Sequence, residues 1–153
     1  MSKTATDILN DLIETLKDGQ EGFRAATNEV TSASVKELCS DCSLQRFKYV
    51  SELQALAKEL GDPNPAQSTS LSGKIHRGWI KAKSAVTRRD DHAILVECER
   101  GEDSAVTHFK EALENELPPS VRSVLEGQFA GIKEAHDRVR EMRDRLAART
   151  ASA

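Results

Sequence analysis

The chain has 153 residues, of which 38% are hydrophobic and 31% are charged. That length suits one domain, since single cores typically take about 100–200 residues, and no apolar run approaches the ~20 residues of a membrane-spanning helix. The 22 basic and 25 acidic residues give a net charge of −3, which offers no overall basic field to attract nucleic acid. Few aromatic residues and few prolines are typical of a helical chain.

Helical periodicity begins near Thr4 or Thr6 and predicts two long helices in the first part of the chain. The first helix has a seam of Leu9, Leu12, Leu16, Gly19, Phe23, Ala26 and Val30. Ser34 is the expected N-cap of the second helix, with Glu37 at the capping-box position. The second seam is Val35, Leu38, Cys42, Arg46, Tyr49, Leu53, Leu56 and Leu60. Gly61 is the expected residue after its end.

The second part of the chain predicts a loop, a shorter helix and two more long helices. Residues 62–70 form the loop, and the shorter helix covers about 71–86. The third long helix begins at Asp90 or Asp91, and its seam is Ile94, Cys98, Glu102, Ala105, Phe109 and Ala112. The last helix follows Pro119, and its seam is Val121, Val124, Gln128, Ile132, Ala135, Val139, Met142 and Leu146.

The connection between the second and third long helices decides the predicted topology. A short turn makes the first two helices antiparallel, whereas residues 61–90 are numerous enough to return the chain to the end where it started. The sequence therefore predicts an all-α four-helix bundle with up-down-down-up directions and a crossover helix, which is the ferritin-like arrangement. We expect a single domain over residues 1–153, with flexible ends at about 1–5 and 147–153.

Polar residues interrupt the seams and predict a central polar layer. Arg46, Glu102 and Gln128 lie near the centres of their apolar faces, while Gln20 and His136 lie at the edges. Because buried ions are costly unless paired, one interpretation is an internal Arg46–Glu102 ion pair that Gln20 and His136 complete. The other is that the long side chains reach water at the flanks of the bundle.

The same level of a ferritin-like carboxylate protein holds two metal ions. That site needs a Glu-x-x-His motif on each of two helices, and the residues three positions before the four histidines are Gly73, Arg89, Ala105 and Lys133. The missing motif predicts no metal, no cofactor and no catalytic residue. The alternative is an enzyme or iron-handling protein that binds iron or manganese through a non-standard carboxylate and histidine site. Its ligands would be drawn from Glu52, Glu102, Gln128 and His136.

The cysteines and an outer apolar stripe allow further predictions. Cys39-x-x-Cys42 lies inside a helix, where small core-filling residues are expected, although a thiol-redox role is an alternative. Three cysteines and the lack of a signal-peptide pattern favour the cytoplasm. Leu44, Phe47 and Val50 form a second stripe on the second helix. Either the crossover helix or a second copy of the chain would cover it.

Several short blocks resemble the signature of an uncharacterised bacterial four-helix-bundle family, a domain of unknown function grouped with ferritin-like proteins. The blocks are Asp18-Gly19-x-x-Gly22-Phe23, Glu52-Leu53, His76-Arg77-Gly78-Trp79, Glu97-x-Glu99-Arg100-Gly101-Glu102-Asp103, Leu117-Pro118-Pro119 and Ala135-His136-Asp137-Arg138-Val139. The resemblance covers about residues 7–145. It implies the fold and a bacterial, cytoplasmic origin, and it carries no established activity. By analogy of fold alone, we expect a binding, stress-linked or structural role.

Overall fold

Four long α-helices account for most of the chain. A computed structural model describes residues 3–70, 77, 80 and 90–152. The helices are α1 (Ala5–Glu29), α2 (Ala33–Glu59), α3 (Asp91–Leu113) and α4 (Pro119–Ser152). Because these described ranges contain no strand, the all-α prediction is confirmed for them. None of the described helices combines the length and the apolarity that crossing a bilayer requires.

The crossover helix predicted at about 71–86 lies almost entirely outside the described residues. Of that segment only Arg77 and Ile80 are described, and both are helical. Ile80 is fully buried, and Arg77 Nη2 donates a hydrogen bond of 3.2 Å to Thr69 Oγ1. His76 and Trp79, which belong to the family-like block, also lie outside the described residues.

Local hydrogen bonds define where the helices begin and end. Thr4 caps α1 in a capping box, because its Oγ1 accepts from the Asp7 N–H at 3.2 Å and its own N–H donates to Asp7 Oδ2 at 3.3 Å. Asp90 caps α3 through a bond of 3.3 Å from the Ala93 N–H. Gly61 follows the end of α2 with φ +100°, a left-handed conformation that glycine adopts without steric cost.

The start of α2 differs from the prediction. Its N-cap is Ser32 rather than Ser34, and the Ser32 side chain makes no capping bond to the helix backbone. The Asp91 carboxylate on α3 instead binds the two residues that precede the helix, because it accepts bonds from the Thr31 and Ser32 N–H groups at 2.8 Å each and from Thr31 Oγ1 at 3.2 Å. Asp91 therefore joins the α1–α2 turn to the first turn of α3.

Two apolar clusters make up the described core. The first cluster includes Ile8, Leu9, Leu12, Ile13, Leu16, Val50, Leu53, Leu56, Phe109, Leu125 and Ile132. The second cluster includes Phe23, Val30, Val35, Leu38, Cys39, Cys42, Ile94, Leu95, Cys98 and Val139. Along α2 and α3 the clusters are separated at Arg46 and at Glu102, so a charged level divides the core. The predicted α1 seam is buried apart from Gly19, which is half-buried.

The outer stripe of α2 contains fewer apolar residues than predicted. Leu44 is 65% exposed and Phe47 is 54% exposed, whereas Val50 is only 4% exposed. Val50 lies four residues after Arg46 and three before Leu53, a spacing that places it on the buried face of α2. The assignment of Val50 to the outer stripe is therefore corrected. Leu60, predicted in the seam, is 38% exposed at the helix end.

The loop that follows α2 is hydrogen-bonded to α1. Asn10 donates to Asp62 Oδ2 at 2.8 Å and accepts from the Ala66 N–H at 2.8 Å. Eight residues further along α1, Asp18 accepts a bond of 2.9 Å from the Ser70 N–H. The loop therefore runs along α1 in the direction of its C-terminal end. The bonds from Asn10 and from the Asn64 N–H also lower the pKa of Asp62.

Replacing Asp91 tests the joint between the α1–α2 turn and α3. We expect Asp91→Ala to lower the free energy of unfolding by about 2–4 kcal/mol, because three donors lose a charged acceptor. Urea melts followed by circular dichroism measure this loss. Asp91→Asn retains one acceptor and should cost less. A loss below about 0.5 kcal/mol for Asp91→Ala, typical of a surface substitution, would contradict a structural role for this carboxylate.

Candidate functional site

Arg46 on α2 and Glu102 on α3 form an ion pair in the interior of the protein. Arg46 Nη2 donates a hydrogen bond of 2.7 Å to Glu102 Oε2. Nη1 lies 2.6 Å from Oε1 in an ion-pair contact without hydrogen-bond geometry. The two side chains are 0% and 1% exposed. Charges so far removed from water must neutralise each other, because a buried ion without a partner costs several kcal/mol.

Neighbouring residues fix the position of the guanidinium. Arg46 Nε donates to Gln45 Oε1 at 3.3 Å, and the guanidinium carbon lies 5.7 Å from the centre of the Phe23 ring. A Cβ added at Gly19 would lie 3.0 Å from Arg46 Nη1 and 3.5 Å from its Cγ. Glycine at this position therefore gives the Arg46 side chain the space that it occupies beside α1.

Neither glutamine side chain of the predicted polar layer forms a hydrogen bond with the ion pair among the described residues. For Gln20, it is the backbone carbonyl oxygen that accepts a hydrogen bond of 2.8 Å from Ser43 Oγ. Gln128 is 3% exposed, and its Nε2 donates a long bond of 3.4 Å to the Tyr49 carbonyl oxygen. Within the described ranges, the buried side-chain oxygens of both glutamines have no hydrogen-bond partner.

His136 on α4 bonds to the carboxylate that follows Glu102 in the chain. Its Nε2 lies 2.7 Å from Asp103 Oδ1 and 4.0 Å from Glu99 Oε1, and its side chain is 16% exposed. Asp103 is rotated by about 100° around α3 from Glu102, which turns it toward α4 and away from Arg46. Glu99 also pairs with Arg143. His136 thus belongs to a charged cluster at the α3–α4 surface.

The donor set at the buried level does not fit a dimetal centre. Arg46 engages both oxygens of Glu102, and a guanidinium keeps its charge and repels a cation. Glu52, a ligand in the alternative prediction, is exposed, and His136 is bonded to Asp103. Within residues 3–70, 77, 80 and 90–152, no three His, Cys, Asp or Glu side chains are grouped so that they could hold a metal ion.

Three buried thiols lie on the second-cluster side of the ion pair. Cys39, Cys42 and Cys98 are free and buried. Burial and, to a smaller extent, the nearby Glu102 carboxylate raise the pKa of Cys42 to about 12. The hydrogen bond with Cys39, together with burial, raises the pKa of Cys98 well above its usual value. The thiolate is the reactive form of cysteine, so this environment favours core packing over redox chemistry.

The predictions from the sequence do not include the burial of two acidic residues or the contact that one neighbouring amide makes with Arg46. Asp91 and Glu97 are 9% and 1% exposed, and Glu97 Oε2 lies 3.5 Å from Arg100 Nη1. Glu97 follows Ile94 by three residues, so helical spacing could have identified its buried position. Gln45 directly precedes Arg46 and lies off the seam. No seam rule would select Gln45 as a partner of the guanidinium.

Comparison with known protein families shows to which family the chain belongs. A family model described as a domain of unknown function, DUF2383, matches residues 4–115. The chain belongs to this family. The DUF2383 match includes Gln20, Arg46 and Glu102, whereas Gln128 and His136 on α4 lie beyond it. No curated protein matches the chain.

The buried ion pair of this DUF2383 chain makes a strong prediction for stability. We expect Glu102→Ala to lower the free energy of unfolding by about 3–5 kcal/mol, because it leaves the Arg46 charge buried without a partner. Removing both charges in Arg46→Met/Glu102→Leu should recover most of this loss, since an apolar pair of similar volume avoids the desolvation cost. Denaturant melts of both variants provide the measurement.

Glu141 offers a matched control for that experiment. It lies 3.7 Å from Arg145 with both side chains more than half exposed, so Glu141→Ala should cost less than about 0.5 kcal/mol. Equal losses at Glu102 and Glu141 would contradict the burial of the Arg46–Glu102 pair. A Glu102→Ala loss below about 1 kcal/mol would mean that the guanidinium reaches water in the variant.

The raised thiol pKa values predict slow alkylation of the folded chain. At pH 8 we expect Cys42 to react with iodoacetamide at least about a hundredfold more slowly than a free cysteine, as measured by mass spectrometry over time. All three cysteines should react quickly in urea. Because the raised pKa holds the proton in the folded state, the associated stability is present below about pH 9 and is lost toward pH 12. Rapid native labelling of Cys42 would favour the thiol-redox alternative.

Proposed function

We propose that this DUF2383 chain is a non-catalytic, ferritin-like bundle with a binding, stress-linked or structural role. In it the Arg46–Glu102 pair occupies the level at which such bundles hold a dimetal centre. The two-point contact between these fully buried side chains supports the proposal. A Glu102 carboxylate that is neutralised by a guanidinium is a poor ligand for a cation.

Contacts between the helices support the ferritin-like topology that we propose. Thr15 in α1 forms a hydrogen bond of 2.9 Å with His108 in α3. Thr31, which lies after the end of α1, forms one with Asp91, which lies at the start of α3. This order favours opposite directions for α1 and α3. On the other side, Gln45 Nε2 donates to the Gly131 carbonyl oxygen at 3.2 Å. Asp41, earlier in α2, pairs with Arg138, later in α4, at 3.6 Å, which favours opposite directions for α2 and α4.

The course of the loop after α2 supports the crossover. In the loop, Ala66 donates a hydrogen bond to Asn10 of α1. Ser70, four residues later in the loop, donates one to Asp18, which lies eight residues further along α1. Four loop residues thus cover eight helical residues, a rise of about 12 Å at ~1.5 Å per residue. A chain that climbs in this direction approaches the end at which α3 begins. The loop therefore favours parallel directions for α2 and α3.

Other parts of the interpretation stay predictions. A bacterial, cytoplasmic origin rests on the family-like sequence blocks and on three free cysteines. Self-association rests on the exposed Leu44 and Phe47, without Val50. The absence of a resident cofactor rests on the chemistry of the donor set around Glu102.

Metal analysis tests the non-catalytic proposal. Protein purified without chelator should contain far less than one iron or manganese per chain, as measured by plasma mass spectrometry. Adding either ion should leave the unfolding temperature unchanged, since ligands that bind the folded state raise it. Glu102→Gln serves as the matched variant, because it keeps the shape of the side chain and removes its charge.

The opposite result would favour the alternative function. Stoichiometric iron or manganese that is retained by the native chain and lost in a Glu102→Gln variant that circular dichroism shows to be folded would identify a carboxylate-based metal site. That outcome would overturn the non-catalytic proposal and make an iron-handling or oxidoreductase role the leading interpretation. Metal retained equally by both proteins would overturn the absence of a resident metal and would place its site away from Glu102.

A further inference from the structure

A groove of about 810 Å³ lies between α1 and α3. Binding sites for small organic molecules are typically about 300–1,000 Å³ and mostly apolar, with a few polar groups that orient the ligand. At its base the groove reaches Glu102, which is 1% exposed, and the backbone of Gly19. The groove therefore begins at the buried ion pair and opens along the surface between the two helices.

The inner walls of the groove are apolar. Ile8, Leu12 and Phe23 contribute from α1, and Ala112 contributes from α3. All four side chains are buried, with exposures between 2% and 7%. Walls of this kind favour an aliphatic body, because burying apolar surface is worth roughly 25 cal/mol per Å². Thr15 on α1 bonds His108 on α3 at 2.9 Å, so the two walls are joined within the groove.

Among the lining residues that the structure describes, carboxylates outnumber cations. Its acidic lining residues are Asp11, Glu14, Asp18, Glu102 and Glu111, and its basic ones are Lys3 and Arg100. Both cations have acidic partners, because Lys3 pairs with Asp11 and Arg100 pairs with Glu97. The described part of the lining therefore carries a net negative charge, which favours a positively charged ligand.

Two of these carboxylates are less engaged than the others, although Glu111 interacts electrostatically with Lys3 and helps to raise the pKa of that lysine. Asp18 accepts bonds from Ser70, Asp11 pairs with Lys3, and Arg46 neutralises Glu102 from below. Glu14 is half-buried and Glu111 is exposed. In the part of the chain that the structure describes, neither of these two side chains forms a hydrogen bond or an ion pair.

We propose that this groove binds a small organic cation with an aliphatic body, such as a linear diamine. The methylene chain lies against Ile8, Leu12 and Ala112, and the Glu14 and Glu111 carboxylates hold the ammonium groups. Because its charge is already balanced by Arg46, Glu102 closes the base of the groove without attracting a cation. The proposal gives a ligand class to the binding role proposed above and rests on that role.

Calorimetric titration with 1,8-diaminooctane at constant ionic strength tests the ligand class. We expect saturable binding of the diamine and no saturable binding of 1,8-octanediol, which has the same body without charge. Suberate, which has the opposite charge, should also fail to bind. Ethylenediamine, which has the charge without the body, should bind at least about tenfold more weakly, a difference of about 1.4 kcal/mol.

A pair of matched variants tests the assigned residues. Glu14→Gln/Glu111→Gln should weaken diamine binding at least about tenfold. Glu126→Gln/Glu141→Gln removes two exposed carboxylates from α4 and should leave the affinity unchanged. Thermal melts confirm that both double variants are folded. Absence of saturable binding, equal binding of the diol or suberate, or equal losses in the two double variants would overturn the proposal. None of these results bears on the metal content, which alone decides the non-catalytic proposal.

Discussion

The ion pair between Arg46 and Glu102 constrains the rest of the bundle. Each charge is tolerated in the interior only because the other lies within hydrogen-bond distance. The pair therefore fixes the rotation of α2 and α3, since both residues must face inward at the same level. A displacement of either helix by one turn, about 5.4 Å, would separate the charges. The pair thus acts on the specificity of packing as well as on stability.

The apolar core is arranged around this charged level. One cluster lies on the side of Leu16, Val50 and Ala105, and the other on the side of Phe23, Cys42 and Cys98. Apolar side chains alone would tolerate small shifts of register, because hydrophobic contacts have little directional preference. The charged hydrogen bond from Arg46 Nη2 to Glu102 Oε2 is directional. The core therefore supplies most of the burial, while the ion pair selects one register.

Sequence periodicity predicts the four long helices that the structure describes and the inward positions of Arg46 and Glu102, but it fails where a partner comes from outside the seam. Arg46 and Glu102 were identified because they interrupt apolar seams at a spacing of three and four residues. Gln45 and Asp91 were missed because their roles depend on how neighbouring helices are placed. Val50 was placed on the wrong face of α2 because a short apolar stripe there could belong to either side. His136 is predicted to complete the ion pair, but it bonds to Asp103 instead, because this contact depends on the rotation of α3.

The ion pair also affects which ligands the groove can bind. Glu102 is the deepest carboxylate of the groove, and without Arg46 it would make the base the most attractive point for a cation. The guanidinium removes that attraction and holds the carboxylate in place, so the base presents a neutral surface beside Phe23 and Gly19. In the proposed site, Glu14 and Glu111 at the rim then select for the charge of the ligand. A cation bound there keeps part of its hydration, so its desolvation costs less. The same contact that disfavours metal at the centre therefore favours an organic cation at the rim.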